Sequence, residues 1–229
     1  MAIAFDAANT GTSASSSSIT ISLTVASNSN RIVFGSISFS NNAVNISSMT
    51  YAAAAMTPVD ELIANNSSTA VQRKTAPATG ANNLVMTLTG SSSTNAGGGS
   101  SYYGVDQTTP LGTPVKNSSA SGNPSSTVTS AAGELVVDFL GDLGGSGTVT
   151  PDAGQTQRWQ IEEAGTERSS SSEEAGAASV VMSWTHAISG EWTQIAVAIK
   201  PAAAAAAAKI TGQGLLLNVY RNQLIRSSN

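Results

Sequence analysis

Apolar and polar residues alternate along much of the chain, in the pattern of strands that bury one face. From Ile19 to Val25, aliphatic residues alternate with Thr and Ser, so one face of this segment is apolar and the other carries hydroxyl groups. The same pattern predicts further strands at 31–40, 83–89, 133–140, 178–185 and 192–200. Weaker alternation predicts short strands at 3–7, 49–53, 71–75, 100–105, 126–129 and 155–161.

Short strands separated by Gly, Asn, Ser and Pro favour an all-β fold over a parallel α/β sheet. We predict an antiparallel β-sandwich or jelly roll with a short C-terminal extension. The polar stretches at 91–99, 117–125, 141–147 and 169–176 are expected to be loops at the ends of the sandwich. They are interpreted as solvent-exposed connections, with contact loops for a partner as the alternative.

The chain continues past the last predicted strand, which Pro201 ends. We predict a sandwich domain at 1–201, an Ala-rich spacer at 202–208 and an apolar attachment or oligomerisation tail at 209–229. Gly212 and Gly214 oppose one continuous helix in the tail, and either a strand at 215–220 or a helix reaching Arg226 fits. The candidate partner-binding residues are Leu215, Leu216, Leu217, Val219, Tyr220, Leu224 and Ile225.

Composition narrows the function classes. Ser and Thr make 60 of the 229 residues while charged residues make only 10%, so the surface is hydroxyl-rich rather than charge-rich. The net charge of -4 argues against nucleic acid as a partner. No apolar run is long enough to span a membrane, and the first residues lack the features of a secretory signal. The absence of cysteine excludes disulfides and thiolate metal sites.

Candidate chemistry is sparse. The single histidine, His186, could join a Ser/His/Asp triad, but no nucleophile-elbow motif accompanies it, and an ordinary strand-end role is favoured. Carboxylates are paired at 60–61, 162–163 and 173–174, and glycoside hydrolysis uses two carboxylates. Such a cleft also needs aromatic residues that stack on the sugar, and aromatic residues make only 5% of this chain. Asp138, Asp142 and Asp152 could bind Ca²⁺, but their spacing matches no EF-hand loop, and solvated loop charges are favoured. We therefore predict no catalytic residue, metal or cofactor.

The three tryptophans raise the question of carbohydrate binding, because an exposed indole ring can stack on a sugar. Trp184 and Trp192 lie on predicted strands beside inward-facing aliphatic residues. Packing in the core or on a sheet face is therefore the favoured role of the tryptophans, with sugar stacking as the alternative.

Three stretches together carry a resemblance to known proteins. They are GVDQTTPLGT from Gly104, AAGELVVDF from Ala131, and the closing AGAASVVMSWTHAISGEWTQIAVAIKP from Ala175 to Pro201. They resemble a β-sandwich domain of bacterial extracellular proteins and of tailed-phage structural proteins, over roughly residues 1–201. The resembling residues are strand and turn framework, so the resemblance implies a fold and carries over no active site.

The leading hypothesis is a non-enzymatic virion structural protein, a phage capsid decoration or head-fibre subunit on the particle exterior. It would bind a capsid or other virion protein through its tail and assemble as a homo-oligomer, for which a trimer is one arrangement. The alternative is an extracellular carbohydrate-binding module or adhesin that contacts a surface glycan. A third hypothesis, a glycosidase or depolymerase, would depend on Glu162 and Glu163.

Overall fold

The computed structural model describes residues 1–40, 43–64, 66–143 and 147–203. In these ranges all regular secondary structure is β-strand, and the strands pair antiparallel. The predicted all-β sandwich class is therefore confirmed. In chain order the strands are β1 Ala4–Val25, β2 Ile32–Phe39, β3 Ile46–Tyr51, β4 Ala54–Ala55, β5 Thr57–Ala64, β6 Ser67–Thr75, β7 Gly80–Tyr103, β8 Val115–Ser119, β9 Ser125–Val128, β10 Leu135–Leu143, β11 Val149–Pro151, β12 Thr156–Glu163, β13 Glu167–Ala175, β14 Val180–His186 and β15 Glu191–Ile199.

Three sheets are stacked on one another. The first sheet has the order β4-β3-β7-β2-β6-β5, with β1 also paired to β7. The second has the order β12-β13-β10-β15-β8, and the third, smaller sheet has the order β11-β14-β9. Side chains of β10 and β15 alternate between the apolar cluster shared with the first sheet and the clusters shared with the third. The second sheet is therefore the middle layer, and its central strands β10 and β15 are buried on both faces.

The first sheet folds back on itself. Strands β1 and β7 form a long two-stranded ribbon in which residues 18–25 pair with 80–87, and 4–16 pair with 92–103. A Cβ atom built on Gly99 would lie 2.6 Å from the Leu84 side chain, although both residues belong to β7. An unbent strand would hold residues fifteen positions apart at about 50 Å, so the ribbon must bend sharply between them. The largest apolar cluster of the first sheet fills this fold.

The strands with clear alternation are confirmed, but two predicted loops are wrong and two are wrong in part, since 117–119 belong to β8 and 141–143 to β10. Residues 91–99 lie within β7, and residues 169–175 form most of β13, which pairs with both β10 and β12. The side chains of Ser169, Ser170, Ser171 and Ser172 are fully buried. These strands are built from small polar residues that permit close sheet contact, so they lack the apolar alternation on which the sequence prediction depended.

Glycine and serine allow the first and second sheets to approach closely at one end of their interface. A Cβ atom on Gly98 would lie 2.7 Å from the Trp159 ring, and one on Gly141 would lie 2.4 Å from Thr69 Oγ1. Ser38 Oγ donates to Ser169 Oγ across the interface at 3.0 Å, and the hydroxyls of Thr69 and Thr193 lie 2.8 Å apart. This serine-lined half adjoins an apolar half containing Phe34, Tyr102, Phe139 and Ile195, among others.

The strand orders do not test the finer jelly-roll prediction, which stays a prediction, as does the division into domain, spacer and tail. The described residues contain no helix long and apolar enough to cross a membrane.

Candidate functional site

Two aspartates on the middle strand of the fold occupy the interior of the protein. Asp138 and Asp142 share one face of β10 with Val136 and Leu140, because residues two apart in a strand point the same way. That face packs on the third sheet. Both carboxylates are buried, so the interpretation of Asp138 and Asp142 as solvated loop charges is wrong. Asp152, the third residue of the proposed calcium set, is exposed and accepts hydrogen bonds from the hydroxyls of Ser183 and Thr185.

Asp138 is the centre of a saturated hydrogen-bond network. Its Oδ1 accepts from the backbone N–H of Ser172 at 2.9 Å and from the Ser172 hydroxyl at 2.6 Å. Its Oδ2 accepts from Trp184 Nε1 at 2.6 Å and from Gln194 Nε2 at 2.7 Å. Ser126 Oγ donates in turn to Gln194 Oε1 at 2.7 Å. Burial raises the pKa of Asp138, and these hydrogen bonds oppose the rise. The network joins strands of the second and third sheets.

Asp142 belongs to a buried ionic cluster at the end of β10. Its Oδ2 accepts from Arg168 Nη1 at 2.6 Å, and Arg168 also donates to Glu162 on β12. His186 Nε2 lies 3.5 Å from the other oxygen of Asp142. Burial raises the pKa of Asp142, while the nearby His186 and Arg168 charges lower it. The pKa of His186 is lowered, chiefly by burial and against the attraction of Asp142.

Glu167 lies on the opposite face of the second sheet from this cluster. It precedes Arg168 on β13, so its side chain points toward the first sheet, on the same face as Ser169 and Ser171. Its carboxyl is fully buried, and neither oxygen has a hydrogen-bond partner among the described residues. Burial, reinforced by the charge of Asp142, raises the pKa of Glu167 well above its usual range.

The described residues do not assemble the enzymatic arrangements considered from the sequence. His186 ends β14 as predicted, but neither ring nitrogen is hydrogen-bonded to a described serine hydroxyl. Glu162 and Glu163 point to opposite faces of β12, so the two carboxylates do not share a cleft. Within the ranges 1–40, 43–64, 66–143 and 147–203, no three His, Asp or Glu side chains are grouped to hold a metal ion.

All three tryptophan rings are buried. Trp159 packs in the core between the first and second sheets, while Trp184 and Trp192 pack between the second and third. Their exposed fractions are 6%, 0% and 3%, which confirms packing as their role and leaves none of the rings open to a sugar.

An open cleft lies where the chain leaves the sandwich. It has a volume of about 500 Å³ and is lined by residues from the start of β8 and the segment before it, from the turn after β9, from the approach to β10 and from the position after β15. Lys200 lies in its wall. The next residues are fixed to the sandwich, because Pro201 forms a β-bridge with Val105, and Ala202 N donates to the Gly104 carbonyl at 2.8 Å. The predicted partner-binding residues, from Leu215 to Ile225, lie outside the described residues.

No family model, curated protein or solved structure matches this chain. The resemblance to phage and bacterial extracellular sandwiches therefore stays a prediction.

Proposed function

We propose that this protein is a non-enzymatic structural subunit of a tailed-phage particle, a capsid decoration or head-fibre subunit that attaches through residues 209–229. The sandwich presents its hydroxyl-rich surface to solvent on the particle exterior. The tail binds a capsid or other virion protein, and the subunits assemble as a homo-oligomer, for which a trimer is one arrangement.

The observation that carries this proposal is the fixed exit of the chain from the sandwich. Pro201 and Ala202 are bonded to the segment at Gly104 and Val105, and the amino group of Met1 donates to the Ala202 carbonyl at 3.1 Å. A tail that leaves a rigid domain from one defined point can hold that domain in a set orientation on a partner. Several apolar residues follow this exit in the sequence, and an apolar segment of this size is stabilised by burial against a partner.

The use of the interior polar groups also supports a structural role. Asp138 is saturated by hydrogen bonds within the protein, and Arg168 and Asp142 pair in the core. These groups link strands of different sheets and are shielded from solvent, whereas a catalytic carboxylate has to reach its substrate.

Particle incorporation tests the proposal. Phage particles purified from the strain that carries the gene should contain the protein in a fixed copy number, measured by quantitative mass spectrometry. Replacing Leu215, Leu216 and Leu217 with Ser should reduce incorporation at least ten-fold, which corresponds to a loss of about 1.4 kcal/mol or more of binding free energy.

A matched control places three polar substitutions in the same tail, at Asn218, Asn222 and Gln223, each replaced by Ser. This variant should enter particles at the unmodified level. Absence of the protein from the particles, or equal incorporation of both variants, would contradict the proposal.

A further inference from the structure

The charges of the chain are divided unevenly between its sandwich and its tail. Residues 204–229 contain Lys209, Arg221 and Arg226 and no Asp or Glu. The whole chain has 10 basic and 14 acidic residues, so residues 1–203 hold seven basic and all fourteen acidic ones. The part through Ala203 therefore carries a formal charge of about −7 and the tail about +3, which favours their association.

The cleft at the chain exit offers an apolar surface with one carboxylate. Val115 and Ala131 contribute apolar surface to its lining, and Glu134 contributes a half-buried carboxyl. Glu134 Oε2 accepts from the Ala131 backbone N–H at 3.0 Å, and none of the ion pairs among the described residues includes it. The negative charge of Glu134 is therefore available to a basic side chain that enters the cleft.

The other charge of the cleft, on Lys200, is partly balanced from outside. Backbone N–H groups of Thr109 and Thr108 lower the pKa of Asp106, and the nearby charge of Lys200 lowers it further. Lys200 and Asp106 also belong to adjoining segments, since Asp106 N donates to the Lys200 carbonyl at 2.9 Å. The repulsion of a basic tail by Lys200 is reduced by this carboxylate.

The tail is tethered beside the cleft. Lys200 lines the cleft and Ala203 is the last described residue, so five residues separate the described chain from Lys209. Five residues span at most about 18 Å, comparable to the width of a few strands. A short tether raises the effective concentration of the tail at its own cleft to roughly the millimolar range.

We propose that the tail at 209–229 docks through a short part of its length in the cleft of its own sandwich, with apolar side chains against Val115 and Ala131 and a basic side chain beside Glu134. This inference rests on the proposed attachment role of the tail and names the surface that the tail recognises, an apolar groove bordered by a carboxylate. On a particle, the tail exchanges its own cleft for a groove of the same chemistry on the partner.

The natural lack of cysteine permits a disulfide trap in the full-length chain. Thr129→Cys places a thiol in the exposed wall of the cleft, and it is combined in turn with Leu216→Cys, Asn218→Cys or Leu224→Cys in the tail. In the control set, Thr20→Cys is combined with the same tail cysteines in place of Thr129→Cys. Thr20 is exposed on the first sheet, away from the cleft. Oxidation is followed in dilute solution by non-reducing electrophoresis and mass spectrometry.

We expect at least one pair that contains Thr129→Cys to form an intrachain disulfide ten-fold faster than the corresponding pair that contains Thr20→Cys. Equal rates for the two sets, or bridges formed only between chains, would overturn the proposal. Both single-cysteine positions on the sandwich are exposed, so loss of folding is not expected to obscure the result.

Charge provides an independent arm of the test. Glu134→Gln, which keeps an acceptor for the Ala131 N–H, should slow closure about two- to five-fold, as expected for one partly exposed ion pair. Glu163→Gln makes the same change in net charge on β12 and should leave the rate unchanged. Equal slowing by both substitutions would contradict the assigned role of Glu134.

The two proposals fail differently. If the Thr129→Cys and Thr20→Cys sets form intrachain disulfides at equal rates while the Leu215–Leu217 variant is still lost from particles, the cleft assignment is wrong and the attachment role stands. If the trap closes while that variant enters particles normally, the attachment role is wrong.

Discussion

The buried Glu167 carboxyl should make the protein less stable than it would be with an apolar residue there. Glu167→Met replaces the carboxyl by a thioether in a chain of similar length. Both carboxyl oxygens are buried and have no hydrogen-bond partner in the part of the chain that the structure describes, so the substitution removes two unsatisfied atoms and breaks no hydrogen bond there.

The expected gain follows from the cost of burying an unpaired polar group. That cost is about 1–3 kcal/mol for a neutral group and more for a charged one. At roughly 2–4 °C per kcal/mol for a chain of this size, the melting temperature of Glu167→Met should rise by about 2–12 °C.

The raised pKa of Glu167 sets the direction in which the stability of the protein changes with pH. Burial raises the pKa of Glu167 in the folded protein, so the folded state binds its proton more tightly than the unfolded chain does. The favourable contribution of that proton is fully present below the unfolded pKa of about 4.3 and is lost as the pH rises toward the folded pKa. Within this window, Glu167 should reduce the free energy of unfolding by up to about 1.4 kcal/mol per pH unit.

Urea unfolding at several pH values, followed by fluorescence of the buried tryptophans, measures both effects. Glu167→Gln should flatten the loss of stability as the pH rises above the unfolded pKa, because it removes this titration. Glu163→Gln is the matched control, since Glu163 pairs in register with Glu167 on the neighbouring strand and is partly exposed. A Glu167→Met variant that is less stable than the unmodified protein at pH 7, or an unchanged pH slope in Glu167→Gln, would refute the reasoning.

Other parts of the sandwich lead to further expectations. Gly141→Ala should lower the free energy of unfolding by about 1–3 kcal/mol, because the added Cβ would overpack the interface between the first and second sheets. Gly112→Ala is the control, since its added Cβ would make an ordinary 3.4 Å contact. Equal urea midpoints for the two variants would contradict the close approach of the sheets at Gly141. Arg168→Leu leaves Asp142 buried without its ion-pair partner and should cost about 3–5 kcal/mol, so a near-neutral effect in the same assay would count against the cluster. The tryptophan fluorescence should not respond to mono- or oligosaccharides, and a saturable shift would contradict the buried placement of the rings.

The sequence predicted the fold where burial depended on large apolar side chains. Ile195, Val197 and Ile199 pack inward from β15 as their alternation requires. It failed at 91–99 and 169–175, where Gly98 and Ser171 occupy buried strands that are nearly free of large apolar residues. Burial of hydroxyls there depends on the approach of another sheet, and hydropathy along one chain segment carries no information about that partner.

The polar interior could have been predicted only in part. In β10, Asp138 and Asp142 interrupt a segment whose other residues are apolar on both faces, and such a segment indicates a strand buried on both sides. That pattern would have placed both carboxylates inside the protein. Their partners, Trp184 and Arg168, come from strands distant in sequence, and only the sheet order brings them together.

The ribbon of β1 and β7 has a consequence for how the protein folds during synthesis. Val25 pairs with Gly80 and Ala4 with Tyr103, so residues of the first strand wait for about 55 to 99 further residues before their partners are made. At a synthesis rate of roughly 5–20 residues per second, parts of this strand wait about 3–20 s with their edges unpaired. Its many Ser and Thr residues reduce the apolar surface exposed during that time, which limits association between nascent chains. Pairing across so many residues also predicts slow folding, because loop closure precedes the stabilising contacts.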